Sequence, residues 1–181
     1  MFIAPLVREN IGGKLVDKLP SVDVFIGLFF VIGVAYSVLL RKEKAIATLA
    51  ATYIALVITS SFGQTVFEFF NGNKVVANQV WVRSNASLTT VMIGLFLLSI
   101  IFISGAISAS LRKADTGTME IIIISALNVG LVISAVFSFM SPEMRTTYMA
   151  GSKIAQIIVQ YNLIWTILPP IALIGMGFTR K

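Results

Sequence analysis

Apolar runs of membrane-crossing length alternate with short polar connections along this chain. The clearest, Leu88 to Leu111, carries no charged residue. About 24 residues at ~1.5 Å each are enough to cross the ~30 Å hydrocarbon core of a bilayer. A second uncharged run extends from Ile121 to Met140. A helix on the surface of a soluble domain keeps one polar face, and these runs have none. The pattern predicts spans at about 22–40, at 45–62 with an extension to 70 as the alternative, at 88–111 and at 120–140. Ser21 is placed to cap the first span and Thr118 the fourth, because a side-chain oxygen there can accept from an otherwise orphaned N–H.

The two ends of the chain read differently. Residues 1–20 place Ile3, Val7, Ile11, Leu15 and Leu19 four apart, with Arg8, Glu9, Lys14 and Lys18 between them. That predicts an amphipathic helix lying on the membrane; a cleavable signal peptide would begin with a basic region. From Ser152 to Asn162, Lys153, Gln156 and Gln160 fall on one helical face, and Ile154, Ile157, Ile158 and Tyr161 on the other. An apolar run, Leu163 to Phe178, follows, interrupted by Pro169-Pro170. A proline pair removes two helix hydrogen bonds and is expected to kink or break the run. Residues 152–178 thus read as an amphipathic helix entering a kinked fifth span, with a re-entrant segment as the alternative. The expected fold is all-α: a polytopic transmembrane helix bundle of four to five spans with flanking amphipathic interfacial helices, one membrane domain over residues 1–181.

Composition agrees. Hydrophobic residues make up 57% of the chain and charged residues 12%, about half the charge of a typical soluble protein. The net charge of +6 would suggest nucleic acid in a soluble protein. Here the basic residues sit in short connections, so no nucleic-acid partner is expected and membrane lipids, including anionic headgroups, are. Arg41, Lys42, Lys44, Arg112 and Lys113 are the topology anchors, with Trp81 and Trp165 as interfacial rings. Placing the first two basic clusters in the cytoplasm puts the amino terminus outside. The chain has no cysteine and no histidine, which excludes disulfides, the usual zinc sites and imidazole chemistry. No catalytic, cofactor or metal site is expected.

Two sets of residues carry the functional reading. Ala47, Ala51 and Ala55 form a small-residue stripe on the second span, and Ser104, Gly105, Ser108 and Ala109 form another on the third. Small residues let membrane helices approach closely, where lipid supplies no hydrophobic drive for association. The partner helix belongs either to this chain or to another subunit. The second set is polar: Asp23, Gln64, Glu68 and Asn128. Asp23 suits the positive end of the first helix dipole. Gln64 and Glu68 suit the headgroup layer, and Asn128 suits an interhelical hydrogen bond. The alternative gives these four a polar path through the membrane.

Asp23 at the head of the first span, Gly33, the basic turn at Arg41 and the alanines from Ala47 to Ala55 resemble colicin V production (CvpA-type) membrane proteins. The resemblance covers roughly residues 20–140. The turn Leu40-Arg41-Lys42-Glu43-Lys44 lacks the glycine that such proteins carry beside the arginine. The resemblance implies a bacterial inner-membrane protein tied to export or envelope integrity, and it brings no catalytic residue. Together these readings predict a non-enzymatic scaffold or assembly subunit in a homo- or hetero-oligomer. The alternative is a channel or transporter subunit with a path between helices or subunits.

Overall fold

In the computed structural model, residues 22–39, 42–71, 86–110 and 117–178 are described. Seven helices account for almost all of them: α1 (Val22–Leu39), α2 (Lys42–Phe70), α3 (Leu88–Ser110), α4 (Thr118–Phe139), α5 (Pro142–Ala150), α6 (Lys153–Gln160) and α7 (Asn162–Phe178). The expected interfacial helix at 1–20, its neighbour Ser21, and Arg41, Trp81, Arg112 and Lys113 lie outside the described residues. So does the side chain of Lys42.

Helices α2, α3 and α4 are long and apolar enough to cross a membrane. The pair α6–α7 adds a fourth if it counts as one broken span. The apolar part of α1, Val22–Ser37, is shorter. The number that meets the length of a full span is therefore three to four, against the four to five expected.

Helix α4 is the hub, packing on α1, α2, α6 and α7, while α3 packs chiefly on α2. Pairings fix the directions. Thr48 meets Ser104 and Gly63 meets Met92, so α2 and α3 are antiparallel. Ala45 and Leu49 pack with Ile121 and Ile124, and Ala55 with Ala135, so α2 and α4 run the same way. Trp165 meets Gly130 while Leu173 joins the cluster of Ile121 and Ile124, so α7 runs opposite to α4. Burial follows this order: 61% of the spanning stretch of α4 is inside the bundle and only 6% of that of α3.

Two local expectations are corrected. The cap of α4 is Gly117, not Thr118, and the Glu120 carboxylate accepts from the Gly117 N–H at 3.1 Å. Glu120, three residues on, reaches back to the cap and serves its N–H, the glutamate half of a capping box. Pro169 and Pro170 lie inside a continuous α7; the break comes earlier, at Tyr161, where α6 and α7 meet at 66°. The proline pair is tolerated because Pro170 frees the Thr166 carbonyl, four residues back, and the Tyr53 hydroxyl of α2 donates to that oxygen at 2.6 Å. The isoleucines of α6 divide. Ala155 and Ile158 are buried, whereas Ile154 and Ile157 are exposed.

The end of α4 is closed by a cation. Arg145 of α5 donates from Nε to the Phe137 carbonyl at 3.1 Å and from an Nη to Ser138 at 3.1 Å and Met140 at 3.4 Å. The last carbonyls of a helix have no partner within it, and a guanidinium offers several donors beside the negative end of the dipole. Ser141 and Pro142 start α5 immediately afterwards, the serine oxygen accepting from the Met144 N–H.

Candidate functional site: the polar seam among α2, α3 and α4

Threonines recur on the inward face of α2, spaced so that they look towards α3 and α4. The Thr48 hydroxyl sits 2.9 Å from that of Ser104 on α3 and 2.7 Å from the Lys44 carbonyl. One turn on, Thr52 is fully buried; its single hydroxyl hydrogen is shared between the Thr48 carbonyl at 2.8 Å and Asn128 Oδ1 at 2.9 Å. Asn128 is 6% exposed. In hydrocarbon an unsatisfied amide or hydroxyl is costly, so these groups bond to one another and to helix carbonyls one turn back. The result is a short polar seam tying three helices together at the middle of α4. On either side of it, the buried hydroxyls of Thr59 and Ser125 have no hydrogen-bond partner among the described residues.

Ala47, Ala51 and Ala55 flank the seam and are completely buried. With no side chain beyond Cβ, they bring α2 close enough for the threonine hydroxyls to reach across. On α3 only Ser104 behaves comparably. Gly105 and Ala109 are exposed, a Cβ at Gly105 would meet nothing within 4 Å, and Ser108 donates to its own helix at the Gly105 carbonyl. Contact within the chain through Gly105 is therefore not made; the close approaches lie elsewhere. A Cβ on Gly33 would stand 2.6 Å from the Val129 side chain, and one on Gly130 would stand 2.3 Å from the Trp165 ring.

The four polar candidates do not converge. Asn128 pairs with Thr52, whereas Gln64 and Glu68 bond to each other at 3.2 Å on an exposed stretch near the far end of α2. Gln64 is about twelve residues beyond Thr52, ~18 Å along the helix. Asp23 serves a different purpose. Its Oδ1 accepts from the Ser152 hydroxyl and, at 3.1 Å, from the Ile154 N–H, while Ser152 accepts from the Ala155 N–H at 2.9 Å. A first-turn carboxylate of α1 thus completes the N-terminal cap of α6. Among the anchors, Lys44 is exposed, in keeping with its expected place. Trp165 is not an interfacial ring: it is half-buried against Gly130 at the midpoint of α4, and its indole nitrogen is buried without a partner among the described residues. The space left by a missing Cβ at Gly130 draws the ring inward.

Sequence reasoning missed Tyr53, Thr48, Thr52, Arg145 and Ser152 as connecting residues. Thr48 and Thr52 fall on the same turns as the alanine stripe, and that shared face was the available signal.

No known protein family, curated protein or solved structure matches the chain. The resemblance to colicin V production proteins rests on its own residues. Of these, Asp23, Gly33 and the Ala47–Ala55 stripe all lie at interhelical contacts.

Proposed function

We propose that the chain is a non-enzymatic integral membrane scaffold or assembly subunit, acting by helix packing within a larger complex. One observation carries this reading: polar side chains of the seam bond to one another across helices, at Thr48–Ser104 and Thr52–Asn128. The charged side chains described, Asp23, Lys44, Glu68, Glu120, Glu143, Arg145 and Lys153, lie near helix ends. A transport path or an intramembrane active site places such groups within the spans. On this reading α1 and the α6–α7 pair both cross, giving five spans in a bacterial inner membrane with the amino terminus outside; the likeness to colicin V production proteins is what points to an envelope or export complex.

The docking surface is the carboxyl-terminal half of α3. Gly105, Ala106, Ala109 and Ser110 are exposed there, while Ile101 and Phe102, a turn earlier, are bulky and exposed. Small side chains suit a close helix partner; bulky ones suit lipid. Benzoylphenylalanine placed at Gly105 or Ala109 should crosslink to a second membrane protein, or a second copy, on illumination of native membranes. The same probe at Phe102 should not. Lipid-only adducts at all three positions would defeat the proposal.

A channel or transporter role has one observation in its favour. The 66° break between α6 and α7 resembles the discontinuous helices that line transporter cavities. Flux through reconstituted liposomes, abolished by Asn128→Leu, would establish it in place of the scaffold.

A further inference from the structure

The break at Tyr161 leaves a lateral cleft of about 380 Å³ among α1, α4, α6 and α7. Gly27, Val31, Gly130, Ile154, Ile157 and Trp165 are among its lining residues, and its wall is almost wholly apolar. We infer that this cleft holds one acyl chain of a bilayer phospholipid. The inference rests on the helices lying in a bilayer.

Three features select that occupant. First, the lining gives water no polar partners, and apolar cavities stay dry. The cleft is partly open, and Val31, Ile154 and Ile157 of its lining are exposed, so what enters comes from the surrounding hydrocarbon. Second, the cleft lies alongside α1, between Ile154, whose N–H is held by Asp23 at the head of α1, and Gly130 with Trp165 at mid-α4. Along α1 its lining runs from Ile26 to Val31, about five residues or ~7.5 Å, a length that a segment of one acyl chain fills within one leaflet of a ~30 Å core. Third, a cation stands near the mouth. Lys153, exposed beside Ile154, offers an ammonium to a lipid phosphate, next to the Asp23 carboxylate that Ser152 and the Ile154 N–H hold in place.

Trp165 lines the cleft and reports on its contents. With Trp81→Phe it becomes the sole tryptophan of the chain. In vesicles of phosphatidylcholine with brominated acyl chains, Trp165 should lose most of its emission relative to unbrominated vesicles. A Cβ at Gly27 meets nothing within 4 Å, so Gly27→Leu fills the cleft without a clash and should restore the emission; Gly27→Met serves as a second plug. Emission indifferent to bromine, as a covering protein segment would give, overturns the inference. So does equal quenching in the plugged variants, or quenching by aqueous acrylamide instead. A control separates this from the bilayer reading. Phe102, 73% exposed on α3, replaced by tryptophan in a Trp81→Phe/Trp165→Phe background, is quenched by brominated chains whatever fills the cleft. If it is not, the placement in lipid fails, and the cleft proposal fails with it.

Discussion

At the level of single residues, the fold depends on a few places where space or a hydrogen bond admits one side chain only. Gly130 is the sharpest. An added Cβ collides with the Trp165 ring at 2.3 Å, and overpacking of this kind costs about 1–3 kcal/mol. Gly130→Ala should lower the unfolding temperature in detergent, and Trp165→Leu should recover part of the loss. Gly105→Ala, facing open space, should change nothing in the same assay. The seam offers a second test. Thr52→Val and Asn128→Leu each remove one side of the bond at 2.9 Å. Their coupling in a double-mutant cycle should be about 0.6 kcal/mol, with ~1.7 as the upper end for such bonds in membranes. Strict additivity would mean that the two side chains do not interact. Some of this was legible beforehand. Alanines one turn apart on an otherwise bulky helix can only mark a packed face, and Ala47, Ala51 and Ala55 are indeed buried. Trp165 was misread because its counterpart is an absence, the missing side chain at Gly130, which no local pattern reveals.

Between elements, capping and repair of backbone groups decide where helices stop and turn. Arg145 closes α4 by serving three carbonyls. Hydrogen bonds from a charged group contribute about 1.5–3 kcal/mol. Arg145→Met should therefore speed amide hydrogen exchange over the last turn of α4 while leaving its middle protected; unchanged exchange would dismiss the cap. The Pro170 repair gives a conditional outcome. Tyr53→Phe strands the Thr166 carbonyl that Pro170 cannot serve. In a Pro170→Ala background the restored N–H serves it instead. The cost of Tyr53→Phe, read from thermal unfolding, should shrink in that background; an equal cost in both would show that Tyr53 does not act through that carbonyl. This compensation explains why the position of the break escaped the sequence. Pro169-Pro170 signals a break, but the missing bond is supplied by a hydroxyl from a distant helix, and the chain bends at Tyr161 instead. The Asp23–Ser152 contact was hidden likewise, since it joins residues 129 positions apart. The extents of α2, α3 and α4 were legible because lipid demands apolar length and nothing else produces it so plainly.

For the whole molecule, the bundle is built around α4 and leaves α3 attached on one side. The seam bonds Thr48 to Ser104 and Thr52 to Asn128, while Gly105, Ala106, Ala109 and Ser110 face outward; on the proposed reading that outward surface is where a partner joins. The sequence alone left open whether Ser104, Gly105, Ser108 and Ala109 meet a helix of this chain or of another. Among the described residues only Ser104 of these four bonds to another helix, which moves the question to the assembly. The most direct measurement is the molar mass of parent and Gly105→Leu protein in mild detergent, by light scattering, with unfolding temperature recorded alongside. A leucine at Gly105 has room in the single chain, so the unfolding temperature of the subunit should hold. The account predicts an assembled parent and a variant reduced to the mass of a lone chain. A parent that is monomeric in membranes and detergent alike, or a variant that assembles as the parent does, would contradict it.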